Sequence, residues 1–132
     1  MPNFFHGSTL ANLERILSQG IRRPNTGYTA DTVSLALRPD TARAYAAMGG
    51  ESGFRAAGAK ARTIPIDQRA LFQVNIPEEI YKANLVKELY RGEPLHEVRL
   101  GMDIPPEYIS HVPPESYNEL LQQYLLGKPN AK

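Results

Sequence analysis

A histidine followed by a glycine, His6-Gly7, comes directly after the aromatic pair Phe4-Phe5 and is the first place in this chain suited to binding a ligand. The imidazole ring has nitrogens that can donate or accept a hydrogen bond. Gly7 has no Cβ, so a flat polar ligand can approach its backbone closely. The same pattern also fits the end of a strand and a turn, and it becomes informative through the motifs that follow.

A glutamate far along the chain, Glu97, is the candidate for catalysis. It begins the alternating segment Glu97-Val98-Arg99-Leu100. This alternation predicts a strand with Val98 and Leu100 on its buried face and Glu97 and Arg99 on the other. A carboxylate can stabilise a positive charge that develops in a transition state. A surface glutamate on a half-exposed strand is the alternative.

Between these two candidates the pattern predicts a short strand that runs into a helix. Ser34 lies in the apolar segment 33–37, and Pro39 is suited to the first turn of the helix that follows. Tyr45 falls in the second turn of that helix. It is either an aromatic face for a ligand or a core residue of an amphipathic helix.

The order of these motifs resembles the ADP-ribosyltransferase superfamily. Its members share a His-Gly strand, a central strand followed by an Ala-x-x-Tyr helix, and a late catalytic glutamate. The resemblance covers residues 4–112. It implies an α+β domain of two small packed β-sheets with flanking helices, and between the sheets a cleft that binds nicotinamide adenine dinucleotide (NAD+) as the substrate.

The resemblance also implies a role for each candidate residue. Glu97 would be the catalytic glutamate, and His6 would belong to the catalytic site and hydrogen-bond ribose hydroxyls. The backbone of Gly7 would bind the nicotinamide amide. Tyr45 would stack on the nicotinamide ring, a contact worth about 0.5 to 1.5 kcal/mol beyond burial.

The central motif position departs from the family pattern. The diphtheria-toxin-like branch has a tyrosine where this chain has Ser34, and Tyr28 in the preceding loop is the alternative for that cofactor-binding position. The arginine-specific branch has Ser there but begins with an arginine in place of His6. It also carries Glu or Gln two residues before the catalytic glutamate, where this chain has Leu95. Modification of protein arginine is therefore not supported.

Length and composition favour a single domain over residues 1–132, and the resemblance implies that this domain is catalytic. The chain has 42% apolar and 22% charged residues, an ordinary globular composition. It has no cysteine and three scattered histidines, so we expect no metal. No apolar run approaches the roughly 18 residues of a membrane span, and the N-terminus has no signal-peptide pattern. We therefore expect no membrane insertion.

The distribution of charge along the sequence bears on which molecule would accept a transferred ADP-ribose. Residues 1–70 carry nine Lys and Arg against five Asp and Glu, whereas residues 71–132 carry six against nine. Eight of the nine basic residues in the first half are arginine, which suits phosphate contacts. This bias favours RNA slightly over protein as the acceptor, with Arg22 and Arg23 as candidate acceptor-binding residues. Ordinary solvated surface is the alternative.

The chain resembles the C-terminal toxin domains of bacterial polymorphic toxins, including the Rhs type, in its small size, its lack of cysteine and its lack of an export pattern. That resemblance implies a mono-ADP-ribosyltransferase toxin, delivered as part of a larger secreted chain into the cytoplasm of a target cell, with an immunity protein as a partner. Two alternatives remain. One is an NAD-dependent RNA 2′-phosphotransferase, which needs basic residues around the histidine strand that this chain lacks. The other is a non-catalytic binding module on the same fold.

The remaining pattern predicts short alternating elements. Gly20 should end a first helix, Phe72, Val74 and Ile76 should share the buried face of a strand, and the segment from Pro77 to about Tyr90 should be helical or irregular. Further predictions are a long loop over 51–70, a last strand over 108–112 and a C-terminal helix over 114–126 that ends at Gly127.

Overall fold

The computed structural model describes residues 3–23, 31–45, 65–89 and 97–126, which form an α+β structure. Short 3-10 turns precede the first helix, the third strand and the last strand. The strands and helices of the described ranges, in chain order, are β1 (Asn3–Thr9), α1 (Leu13–Gln19), β2 (Val33–Ala36), α2 (Pro39–Tyr45), β3 (Arg69–Asn75), α3 (Glu78–Asn84), β4 (Leu85–Leu89), β5 (Glu97–Leu100), β6 (Ile109–Val112) and α4 (Pro114–Leu126).

The strands form one antiparallel sheet in the order β4-β5-β2-β1-β3-β6. β1 pairs with β3 along its whole length, but it meets β2 in register at a single position, Phe5 opposite Ala36. The sequence predicts two small packed sheets, and the structure differs. Two three-stranded halves are joined edge to edge, because β1 has buried aromatic side chains on both faces and occupies the middle of a two-sided sheet.

The larger core lies on the face of the sheet that carries Phe4, Phe72 and Leu35. Ile16 of α1 is fully buried against it, and Tyr81 of α3 packs at its edge with its ring centroid 5.2 Å from that of Phe4. The predicted alternation of β3 is confirmed, since Phe72, Val74 and Ile76 all belong to this core. The same holds for Val98 and Leu100 of β5.

A smaller cluster covers the opposite face, where Phe5 and Ala36 pack with Ala42 of α2. Helix α4 completes this layer through Tyr117 and Leu120. The guanidinium carbon of Arg43 lies 4.1 Å from the centroid of the Tyr117 ring, a cation–π contact that joins the two helices. Helix α2 therefore lies on the Phe5 face of the sheet and α1 on the Phe4 face.

The end of α1 depends on Gly20, as the sequence predicts. Its φ is +88° and its ψ is −175°, and its N–H donates to the carbonyl of Ile16 at 2.8 Å. This backbone conformation is open to glycine almost alone. The next residue, Ile21, exchanges backbone hydrogen bonds with Ile104 at 3.0 and 2.8 Å. Gly20 thus turns the chain directly into the core.

The segment after Pro77 is shorter as a helix than predicted. Helix α3 ends at Asn84, whose side-chain amide donates to the carbonyl of Ile80 at 2.9 Å, and β4 begins at Leu85. Strand β4 is mostly exposed and carries no clear alternation, so pairing with β5 decides its conformation. The predicted helix end at Gly127 lies outside the described residues, as does most of the predicted loop over 51–70.

A half-buried histidine on β6 gives the fold a pH dependence. The ring of His111 lies 5.7 Å from that of Phe72, and burial lowers the pKa of His111 although the nearby Glu115 raises it. Protonation therefore favours the unfolded chain, so this contribution to stability is complete above pH of about 6.5 and is lost as the pH falls. We expect His111→Gln to flatten the fall in unfolding midpoint below that pH. Parallel pH profiles of the two proteins in urea unfolding would contradict this.

Candidate functional site

The three motif strands of the sequence are neighbours in the sheet, in the order β5-β2-β1. Glu97 begins β5 and stands opposite Ala36, the last residue of β2. Ala36 in turn stands opposite Phe5, which directly precedes His6. The fold therefore brings the start of β5, the end of β2 and the middle of β1 together.

His6 is buried and bridges the junction of the two halves of the sheet. Its Nδ1 lies 3.3 Å from the backbone carbonyl oxygen of Ser34. Because a carbonyl oxygen can only accept, Nδ1 is the donor in this hydrogen bond. A side chain thus connects β1 to β2 beside the single registered pair of these strands.

The pleat sets His6 and Glu97 on different faces of the sheet. His6 stands opposite Phe72 of the larger core, whereas Glu97 shares the face of Phe5 and Ala36. The structure therefore brings the two residues close together in the order of the strands but does not place their side chains on one face.

Glu97 and Arg99 form an ion pair on the face of β5 that lies on the Phe5 side of the sheet. Nε of Arg99 donates to Oε2 of Glu97 at 3.4 Å, and the side chains are only 15% and 12% exposed, respectively. The predicted shared face of these two residues is confirmed. A carboxylate and a guanidinium this far from bulk water interact more strongly than a surface pair.

Ser34 stands directly opposite Arg99 in the β2–β5 ladder. Its Oγ is buried, and within the described part of the chain it has no hydrogen-bond partner. A buried hydroxyl without a partner costs free energy. Ser34 is thus suited to hydrogen-bond a ligand on the face that carries Glu97.

The other predicted cofactor-binding residues have mixed outcomes. Gly7 is buried within β1 opposite Leu71, and the strand continues to Thr9, so the alternative of a strand end and turn at His6-Gly7 is wrong. Tyr45 is the last residue of α2, and its side chain is not described. Tyr28 lies outside the described residues.

The candidate acceptor residues lie near the end of β5 remote from Glu97. The backbone N–H and Nε of Arg23 both donate to Oδ1 of Asp103, at 2.8 and 3.1 Å, and Nη1 donates to the carbonyl of Gly101 at 3.3 Å. These bonds and the charges of Arg23 and Arg22 hold the pKa of Asp103 below its usual value despite partial burial. Arg23 therefore fastens the turn after β5, while Arg22 is exposed and reaches Gln19 at 3.4 Å.

One further pair, not predicted from the sequence, fixes the start of α2. Arg38 donates from Nε and Nη2 to the two carboxylate oxygens of Asp40, at 3.0 and 2.8 Å, and the N–H of Thr41 donates to Oδ1 at 3.0 Å. Burial raises the pKa of Asp40, but these bonds outweigh it and lower the pKa overall. The Arg-Pro-Asp spacing was the available signal, because Pro39 places both side chains at the helix start.

No group of three or more His, Asp or Glu side chains within the described ranges could hold a metal ion. The described helices include none that is both long and apolar enough to cross a membrane. No protein-family model matches the chain, and no curated protein matches it. The geometry of the described residues is therefore what bears on function.

Proposed function

We propose that this protein is a mono-ADP-ribosyltransferase that cleaves NAD+ and transfers ADP-ribose to a macromolecular acceptor. The observation that carries the proposal is the adjacency of the three motif strands, with the mostly buried side chain of Glu97 one strand away from Ser34 and two from His6. Because these residues are far apart in the sequence, the adjacency of their strands is a property of the fold and does not follow from the local sequence.

In the proposed reaction, the bond between the ribose C1′ and the nicotinamide nitrogen breaks. The bonding electrons leave with nicotinamide, and the ribose becomes oxocarbenium-like. The carboxylate of Glu97 stabilises that positive charge and accepts a hydrogen bond from a ribose hydroxyl. A nucleophilic oxygen or nitrogen of the acceptor then bonds to C1′ and loses its proton.

The neighbouring residues would bind the dinucleotide. His6 would hydrogen-bond ribose hydroxyls, the backbone of Gly7 the nicotinamide amide, and Tyr45 would stack on the nicotinamide ring. The buried Oγ of Ser34 would gain the hydrogen-bond partner that it lacks among the described residues. This supports Ser34 as the residue of the central motif position.

We further propose that the protein is a toxin domain acting in the cytoplasm of a target cell, delivered within a larger secreted chain and blocked by an immunity protein. RNA is the slightly favoured acceptor because of the arginine-rich first half of the sequence. Arg23 already holds Asp103, so exposed Arg22 is the better candidate for an acceptor contact.

The acceptor is tested by fractionation of a cell lysate treated with the protein and radiolabelled NAD+. We expect label in the RNA fraction, falling steeply as salt rises because phosphate neutralisation releases counterions. Arg22→Glu should weaken this labelling but leave slow hydrolysis of NAD+ nearly unchanged. Lys82→Glu on α3, an equal change of charge at an exposed position, is the control.

Label confined to protein bands that survive nuclease would replace RNA with a protein acceptor. Release of phosphate groups from RNA 2′ positions to NAD+, without labelled RNA, would favour the phosphotransferase. NAD+ that is neither consumed nor bound would favour the non-catalytic module.

A further inference from the structure

We propose that Arg99 is a positioning residue that holds the carboxylate of Glu97 in its reactive orientation, an inference that rests on the proposed function for its catalytic part. Arg99 follows Glu97 by two residues on β5, so both side chains leave the same face of the strand. Their Nε–Oε2 contact of 3.4 Å joins them along the strand.

The neighbours of Glu97 across the sheet explain why Arg99 matters. Ala36 of β2 stands opposite Glu97 on one side, and Leu89 of β4 stands opposite on the other. Neither side chain can donate a hydrogen bond to a carboxylate. Arg99 is therefore the neighbour along the strand that both carries a donor and reaches Oε2.

Ser34 of β2 and Lys87 of β4 are also polar side chains of this face, and both stand opposite Arg99 rather than Glu97. The Oγ of Ser34 has no hydrogen-bond partner in the described part of the chain, so Ser34 does not orient the carboxylate in this structure. A charged contact from its own strand therefore contributes to the orientation of Glu97.

The burial and the length of the contact between Glu97 and Arg99 agree with a positioning role for Arg99. Both side chains are mostly buried, so the pair is shielded from the solvent that weakens surface ion pairs. At 3.4 Å the contact is longer than the roughly 2.7–2.9 Å of a strong charge-assisted hydrogen bond. The contact therefore restrains the direction of the carboxylate without being a short charge-assisted hydrogen bond.

The pair is tested first without NAD+, by urea and thermal unfolding of Arg99→Gln, Glu97→Gln and the double variant. Removing one partner takes a compensating charge away from the other, mostly buried group. We expect Arg99→Gln to lower the unfolding midpoint and the added Glu97→Gln to restore part of the loss. Strictly additive midpoint shifts would overturn the pairing, whether or not the protein uses NAD+.

Positioning is tested by the kinetics of NAD+ consumption. We expect Arg99→Gln to lower kcat by roughly ten- to a hundredfold while KM changes by less than about threefold, because a misdirected carboxylate impairs the transition state more than binding. Arg99→Lys should recover part of kcat, since an ammonium can still hold Oε2.

The matched control is Lys87→Gln, which removes the exposed cation that stands opposite Arg99 on β4 and should leave kcat unchanged. A rise in KM with kcat unchanged in Arg99→Gln would overturn positioning and make Arg99 a substrate-binding residue. Wild-type protein that consumes no NAD+ would remove the proposed function, and the unfolding cycle would still decide whether Arg99 holds Glu97.

Discussion

Glu97→Gln is expected to lower the turnover of NAD+ by at least roughly a hundredfold, the scale for losing one preorganised charge in a transition state. Glutamine keeps the shape and hydrogen-bonding reach of the side chain but removes the negative charge that would stabilise the oxocarbenium-like ribose. The measurement is the rate of nicotinamide release at saturating NAD+.

The fold of this variant needs a separate check, because Arg99 would lose its charged partner. Circular dichroism and the unfolding midpoint show whether the protein is folded at the assay temperature. Glu107→Gln, which neutralises an exposed glutamate in the 3-10 turn Pro106–Tyr108, is the control and should retain full turnover. Unchanged turnover in folded Glu97→Gln would exclude Glu97 from the mechanism.

Gly20→Ala is expected to destabilise the protein by about 3 kcal/mol or more, a large part of the typical 5–15 kcal/mol of a domain. The backbone conformation at Gly20 costs any other residue about 1–3 kcal/mol. An added Cβ would also overlap the carbonyl oxygen of Ile104, and such overpacking costs about 1–3 kcal/mol more. Ile104 cannot move away without breaking its hydrogen bonds to Ile21.

The matched control for this prediction is Gly101→Ala. A Cβ there would lie 3.0 Å from Cγ2 of Val86, whose side chain is 62% exposed and free to turn away. We expect a loss of less than about 1 kcal/mol. Urea unfolding measures both variants, and equal losses would show that the crowding at Ile104 does not govern the cost.

Local patterns in the sequence predict the elements whose residues alternate. Phe72, Val74 and Ile76 mark β3, and Val98 and Leu100 mark β5, because the larger core requires apolar residues at every second position. Strand β4 lacks such a pattern since both of its faces are largely exposed. The joining of the strands into one sheet depends on the pairing of Phe5 with Ala36, which no local pattern contains.

The candidate site is predictable to a similar extent. The shared face of Glu97 and Arg99 follows from the period of a strand, but their ion pair depends on side-chain conformation. The interpretation of Arg23 as an acceptor contact rests on charge alone. Its partner Asp103 is eighty residues away along the chain and is reached only through the fold.

The junction between β1 and β2 is the place where the two halves of this sheet are joined by the fewest paired residues. One registered pair of residues and the side chain of His6 join β1 to β2. Helix α2 reinforces this junction because Ala42 packs with both Phe5 and Ala36. A ligand that contacts both β1 and β2 would stabilise the junction of the two halves of the sheet by its binding free energy. We therefore expect the two halves of the sheet to move less relative to each other when the proposed site is occupied.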